Sequence, residues 1–153
     1  MQGIEVEEEL DIQIDLNVTS YIPDEYILDS SQKIEIYQNI ALCKNEQDIQ
    51  NVVDEIIDRF GNMPSELENL LDIARIKYLA KSLYISKIAS RKTSVVFTFE
   101  HSKFDIDISK LIAKYKNRLK FSPGVKNMVT LDIGTNNERQ ILNDVTEFLK
   151  NIN

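Results

Sequence analysis

Residues 10–18 alternate between apolar and polar side chains. The apolar positions are Leu10, Ile12, Ile14, Leu16 and Val18. A repeat of two residues is typical of a half-buried strand or an extended arm, because successive side chains point to opposite faces. The alternation stops at Ile22-Pro23, where the proline restricts the residue before it. The sequence therefore predicts an N-terminal extended arm, preceded by a flexible tether over residues 1–9 whose four glutamates repel one another.

A helical period replaces this alternation between residue 29 and about residue 88. A first helix should start near Asp29–Ser31, which offers N-cap side chains, and Asn45 caps a second helix in which Asp48 lies at the capping-box position. The second helix carries one continuous apolar stripe made by Ile49, Val52, Val53, Ile56, Ile57 and Phe60. Gly61 ends this helix, and Pro64 begins a third. We therefore predict three helices in this helical part.

The C-terminal part, residues 89–153, contains shorter apolar runs. Ser94–Glu100 is rich in β-branched and aromatic residues, which favour a strand. Leu119–Phe121 and Met128–Ile133 are predicted to form two more strands on either side of the turn at Ser122-Pro123-Gly124.

Two helices are expected in the same part of the chain. Ser109 offers an N-cap to a short one, and the apolar spacing between Ile141 and Leu149 predicts a C-terminal one. The predicted fold is α+β: an N-terminal extended arm and three helices, then a small, mostly antiparallel sheet with further helices. Residues 10–153 are expected to form a single domain.

Composition places the chain among folded proteins of a reducing compartment. Its 153 residues are 42% hydrophobic and 28% charged, which suits one globular domain. There is one cysteine, Cys43, so no disulfide can form within the chain. No apolar run approaches the length of a membrane span, and the N-terminus is acidic where a signal peptide is basic. We expect a cytoplasmic protein that does not bind membranes.

Recognised catalytic and ligand-binding motifs are absent from the sequence. There is no phosphate-binding glycine loop, and one histidine, His101, does not complete a zinc site with Cys43. Cys43 is expected to be a buried, unreactive thiol; a nucleophilic pair with His101 is the alternative that we disfavour. The sequence predicts no catalytic residue, no cofactor and no metal.

One face of the second helix is acidic. Asp48, Glu55 and Asp58 lie away from the apolar stripe, with Asp54 beside them. An acidic face opposite an apolar stripe is ordinarily a solvated surface. The same pattern suits a docking surface for a basic partner or, in a cleft that shifts a pKa, acid–base chemistry. The helix pattern alone leaves these three interpretations open.

Charge is divided unevenly along the chain. Residues 1–74 hold 18 acidic and 3 basic side chains, whereas residues 75–153 hold 7 and 15. A split this strong suits an oppositely charged partner, although two solvated faces that partly neutralise each other give the same counts. The basic half also raises an alternative function, a nucleic-acid-binding module. Its candidate residues, which follow no known groove-reading motif, are Arg75, Lys77, Lys81, Lys87, Arg91, Lys92, Lys114, Lys116, Arg118, Lys120 and Lys126.

Three short motifs resemble a known family. IPDEYI occupies residues 22–27, DRFG occupies residues 58–61 and is followed by Pro64, and NLL at residues 69–71 precedes a long apolar helix. At these spacings the motifs resemble the C-terminal domain of the bacterial transcription-repair coupling factor family. The resemblance extends over residues 10–88 and is thin after that.

The resemblance implies a regulatory domain without catalysis of its own. Proteins of that family are DNA translocases that remove stalled RNA polymerase and recruit UvrA for nucleotide excision repair, and no motor motif is present in this chain. The family's C-terminal domain packs against the UvrA-binding module of the same polypeptide and masks it until the factor engages polymerase. Acidic residues on the helix that ends in DRFG contact basic residues of that module. Glu55 and Asp58 match those positions here, and we expect a docking site that also includes Asp48, Asp54 and Arg59.

Overall fold

The computed structural model describes residues 12–100, 107–122, 124 and 127–152. The predicted tether over residues 1–9 lies outside the described residues, as do His101, Pro123 and Lys126. The elements in chain order are β1 (Gln13–Asp15), α1 (Ser30–Ala41), α2 (Glu46–Phe60), α3 (Ser65–Ser82), β2 (Ile85–Arg91), β3 (Ser94–Phe99), α4 (Ile108–Tyr115), a 3₁₀ turn (Lys116–Arg118), β4 (Leu119–Ser122), β5 (Asn127–Asp132) and α5 (Glu138–Ile152).

The strands form one five-stranded sheet in the order β1-β2-β3-β5-β4. The pairs β2–β3, β3–β5 and β4–β5 are antiparallel, and β1 alone runs parallel to its neighbour, with Ile14 opposite Ile88. The predicted extended arm therefore enters the sheet as an edge strand. This architecture confirms the predicted α+β fold with a mostly antiparallel sheet.

The helix N-termini form where side chains satisfy their free amides. The side chains of Asp29 and Asn45 accept hydrogen bonds from the backbone N–H groups of Gln32 and Asp48, each at 2.9 Å. The cap at Asn45 is confirmed, and Asp29 is the cap within the predicted range Asp29–Ser31. The predicted cap at Ser109 is wrong. Asp107 caps α4 instead, because its carboxylate accepts from the N–H of Lys110 at 3.1 Å and the helix has already begun at Ile108.

The helical part ends earlier than the predicted residue 88. Tyr84 has a φ of 57°, which stops the chain from continuing α3, and β2 begins at Ile85. The pairing shifts between Ile85 and Lys87, so the strand contains a bulge. Ile85 and Ile88 are both fully buried because that extra residue brings two positions three apart onto one face. Their spacing therefore imitates a helix in the sequence.

Two apolar clusters form the core, and α3 contributes to both. The cluster among the helices includes Leu67 and Leu71 from the first half of α3. The cluster between the sheet and helices α3, α4 and α5 includes Ile76 and Ala80 from its second half. This explains why α3 is apolar around most of its circumference: it packs on two cores at once.

Polar contacts join α3 to α5 beside these cores. Asn69 is buried, donates from Nδ2 to the backbone oxygen of Thr19 at 2.9 Å, and accepts from Nη2 of Arg139 at 2.7 Å. Arg139 also forms an ion pair with Asp72. The N-terminal ends of α3 and α5 are thus fixed to the arm that follows β1.

Candidate functional site

The candidate site is the exposed face of α2, and the helix is well fixed at both ends. At the N-terminus, the carboxylate of Asp48 accepts from the backbone N–H of Lys44 at 3.0 Å, while Asn45 caps the N–H of Asp48. At the C-terminus, Gly61 has a φ of 89°, a left-handed value that favours glycine. Asp48 therefore has a structural role as well as a place on the acidic face.

The acidic side chains of α2 divide into two lines. At 100° per residue, positions four apart share a line, and the buried stripe contains Ile49, Val52 and Ile56. Asp54 and Asp58 lie on the line facing away from this stripe, and both are exposed. Asp48 and Glu55 lie at its flank on the side of α1 and are half-buried.

Glu55 belongs to an ion-pair group with Arg59 and Glu35. Nη1 of Arg59 donates to Oε1 of Glu55 at 3.1 Å and to Oε1 of Glu35 on α1 at 3.3 Å. The side chains of Glu55 and Arg59 retain 40% and 29% of their exposure, so both remain open to a partner. The guanidinium carbon of Arg59 also lies 5.0 Å from the centroid of the Phe60 ring. Arg59 thus holds Glu55, one of the predicted docking residues, in place and is itself ion-paired.

Asp54 and Asp58 have no ion-pair partner among the residues that the structure describes. They lie one helical turn apart, about 6 Å along the axis. The structure therefore leaves two adjacent carboxylates of the predicted set uncompensated at the surface, where a basic partner gains the most from them.

A shallow groove of about 340 Å³ separates α2 from the end of α1. Its lining combines acidic, polar and apolar groups: Asn39, Leu42, Cys43, Asp48, Asn51, Val52 and Glu55. Leu42 is 70% exposed at its rim. An apolar side chain this exposed next to carboxylates gives the acidic face an apolar contact point.

Cys43 was predicted to be buried, and it is half-buried in this groove. Its Sγ lies 3.4 Å from the backbone oxygen of Asn39. Burial first, and then the charge of Asp48, raise the pKa of the thiol. A raised pKa lowers the thiolate fraction, which agrees with the prediction of an unreactive thiol.

Sequence reasoning missed a second charged cluster on the opposite flank of α2. Oε2 of Glu46 accepts from Nε of Arg75 at 2.9 Å and from the hydroxyl of Tyr78 at 3.1 Å. The hydrogen bond from Arg75 is the main reason why the pKa of Glu46 falls to about 2. Burial and the contact with Glu46 raise the pKa of Tyr78 to about 12. The acidic first turn of α2 was the only signal of this cluster in the sequence. The cluster connects α2 to α3.

The basic residues of the alternative function are in part neutralised within the chain. Two of the arginines are held by carboxylates of the same chain: Arg75 by Glu46 and Asp72, and Arg118 by Asp144 at 3.0 Å. Lys87 and Lys120 project from exposed positions of β2 and β4. Over residues 12–100, 107–122, 124 and 127–152 there is no group of three or more metal-binding side chains, and no helix in that part is long and apolar enough to cross a membrane.

Comparison with known proteins points to one family. The TRCF domain model matches residues 16–111. The chain is 38% identical over 114 residues to the transcription-repair-coupling factor of Rickettsia prowazekii and 35% identical over 105 residues to that of Bacillus subtilis. These alignments cover 74% and 68% of this chain but 10% and 9% of those proteins. The chain thus spans about a tenth of the length of these relatives.

A solved structure shares the fold. The crystal structure of the C-terminal domain of a transcription-repair coupling factor matches with a TM-score of 0.79 and 22% identity, over 94% of this chain and 93% of that one. The fold and the family match agree with the resemblance carried by the IPDEYI and DRFG motifs, both of which lie within the matched residues. The chain belongs to the TRCF domain family, which is found in the transcription-repair coupling factors.

Proposed function

We propose that this domain regulates a transcription-repair coupling factor by docking, without catalysis, on the UvrA-binding module of the same polypeptide. The acidic face of α2 binds basic side chains of that module and masks it. Engagement of stalled RNA polymerase releases the contact, after which UvrA gains access. DNA is bound through the motor of the whole factor rather than through this domain.

The observation that carries the proposal is the open pair Asp54 and Asp58. Most other carboxylates around α2 already have a partner: Glu46 has Arg75, and Glu55 and Glu35 share Arg59. Asp58 and Glu55 match the positions that the family resemblance assigns to docking, and Asp54 adds a further exposed carboxylate next to Asp58.

Charge alone is too weak to hold such a contact. An exposed ion pair contributes about 0–1 kcal/mol, so a few pairs are insufficient without apolar burial. Leu42 supplies an apolar contact at the rim of the groove beside Glu55. The proposed docking surface therefore includes Leu42 together with Glu55, Asp54 and Asp58.

A weak contact is sufficient for this intramolecular docking, which we call the latch. Two surfaces on one polypeptide meet at a high effective concentration, so modest affinity keeps the latch closed. Because the closed state is favoured by only a few kcal/mol, binding of polymerase at another part of the factor is enough to shift the populations.

The experiment measures binding between this chain and the isolated UvrA-binding module of the Rickettsia prowazekii factor by isothermal titration calorimetry. We expect Asp54→Lys/Asp58→Lys to weaken binding by about tenfold or more, and added salt to weaken binding of the unaltered chain. In a full-length Rickettsia factor that carries this domain in place of its own, the same double variant should capture more UvrA.

The matched control is Asp15→Lys/Asp132→Lys, which changes the net charge equally at exposed positions of β1 and β5. It should bind the module as the unaltered chain does. An equal loss of affinity for the module in both double variants would show that net charge alone causes the effect. Unchanged UvrA capture by the Asp54→Lys/Asp58→Lys factor would refute the masking role.

A further inference from the structure

The carboxylates proposed for docking are spread around α2. Asp54 and Glu55 are consecutive, so their side chains point about 100° apart around the helix axis. Asp58 points between these two directions, one helical turn beyond Asp54. A helix that packs on a flat neighbour buries a stripe of about 100°, so the three carboxylates already fill the width that a flat partner covers.

Ile57 lies just outside this width, on the side of Asp54 that faces away from Glu55. It follows Asp54 by three residues, a spacing that makes two side chains neighbours on a helix surface. Within α2, which the structure describes in full, Ile57 is the one apolar residue in an exposed position, and it retains 46% of its exposure. A basic partner side chain that pairs with Asp54 therefore comes close to Ile57, and removal of this side chain from water favours binding.

Leu42 lies outside the same width on the other side. It is 70% exposed and, together with Glu55, lines the groove between α1 and α2. Ile57 and Glu55 point about 160° apart around α2. An exposed aliphatic side chain therefore borders the acidic face on each side, and a flat partner surface is too narrow to cover both.

We propose that α2 docks as a ridge in a groove of the UvrA-binding module, an inference that rests on the proposed function. Insertion of a helix into a groove is a recurring mode of recognition. Asp54 and Asp58 meet basic side chains on the floor of the groove, while Ile57 and Leu42 meet apolar side chains on its two walls. The partner surface is thus concave, basic in the middle and apolar on both sides.

Charge favours this partner over a second copy of the chain. If two copies met through this face, Asp54 and Asp58 would lie against the same carboxylates of the other copy, and like charges oppose association. Arg59, the one basic residue of α2, already pairs with Glu55 and Glu35. The ridge therefore has no free basic group of its own to offer to a second acidic face.

The test is calorimetric titration of the full chain with the UvrA-binding module of the Rickettsia prowazekii factor. We expect Ile57→Ser and Leu42→Ser each to weaken binding by about fivefold, and the double variant to weaken it by about 25-fold because the two contacts are separate. These factors should be the same at low and high salt, since apolar contacts are not screened. The factor for Asp54→Lys/Asp58→Lys should shrink as salt is added.

The matched control is Ile112→Ser, which changes an isoleucine of similar exposure, 49%, on α4. It should leave the affinity for the module unchanged. Because all three side chains are largely exposed, the variants should fold, and urea unfolding of each variant checks this.

Three results would overturn the ridge. One is a loss of affinity in only one of Ile57→Ser and Leu42→Ser, which would indicate a flat partner surface. Another is an equal loss in Ile112→Ser. The third is a dimer of the chain alone that dissociates in Ile57→Ser, as measured by analytical ultracentrifugation, which would assign this face to a second copy.

The same titration separates this inference from the proposed function. If Asp54→Lys/Asp58→Lys weakens binding while Ile57→Ser and Leu42→Ser do not, the latch stands and the ridge is refuted. If Asp54→Lys/Asp58→Lys leaves the affinity unchanged, the acidic docking face itself is refuted.

Discussion

The single N–H at Nε of Arg75 on α3 donates to both carboxylate oxygens of Glu46 on α2, at 2.9 Å to Oε2 and 3.2 Å to Oε1. The two residues are 29 positions apart in the chain. The helix that presents the proposed docking surface is therefore fixed to the central helix by a charged contact on its opposite flank.

The first prediction concerns acid stability. The pKa of Glu46 is lowered from 4.5 to about 2 in the folded chain. A lowered carboxyl pKa stabilises the fold above pH 4.5, and this contribution is lost as the pH falls from 4.5 towards 2. Because the Glu46 side chain is 52% exposed, solvent screening limits the effect to about 1 kcal/mol.

Urea unfolding of the unaltered chain and of Glu46→Gln measures this contribution. The difference in unfolding free energy between the two proteins should be largest near neutral pH and should vanish towards pH 2. Glu25→Gln, at an exposed position between β1 and α1, is the control and should follow the unaltered chain. A Glu46→Gln difference that stays constant with pH would contradict the assigned ion pair.

The second prediction concerns alkaline titration. The pKa of Tyr78 is raised to about 12 by burial and by its contact with Glu46. A raised tyrosine pKa stabilises the fold below pH 10, and this contribution is lost as the pH rises towards 12. Absorbance titration of tyrosinate should show a late ionisation that is missing in Tyr78→Phe. In Glu46→Gln the same ionisation should move to lower pH, since a negative neighbour has been removed.

The contrast between α2 and β2 shows how far local pattern predicts this fold. Helix α2 was predicted because its cap at Asn45, its apolar stripe and its end at Gly61 are all set by neighbours in the chain. Strand β2 was missed because the bulge between Ile85 and Lys87 gives Ile85 and Ile88 a helical spacing. A bulge depends on the partner strand, which the local pattern does not contain.

The candidate site was predictable in part for the same reason. The acidic line Asp54 and Asp58 follows from helix geometry alone. The pairing of Arg59 with Glu35 joins two helices and depends on how they pack, so the sequence placed Arg59 among the docking residues without its structural role. Leu42 gave no signal, because an exposed leucine and a buried one look alike in a sequence.

The third prediction concerns the contact between α3 and α5. Asn69 is 7% exposed and binds Thr19, Glu138 and Arg139. Asn69→Ala leaves the backbone oxygen of Thr19 without its donor, and we expect the unfolding free energy to fall by about 1–3 kcal/mol. Asn143→Ala, on the exposed side of α5, should cost nothing or slightly stabilise the helix. Equal stability of Asn69→Ala and the unaltered chain would show that the contact is dispensable.

The fourth prediction concerns the backbone after α4. Lys116 has a φ of 53° and a ψ of −130°, a conformation that disfavours any residue with a Cβ atom. Glycine adopts it without that penalty, so Lys116→Gly should raise the unfolding free energy by about 1 kcal/mol despite the extra flexibility of the unfolded chain. The control, Ala113→Gly within α4, should lower it by about 1 kcal/mol because the same residue type is unfavourable inside a helix. Urea unfolding of the two variants compares the signs directly, and destabilisation by both would show that the turn at Lys116 carries no backbone strain.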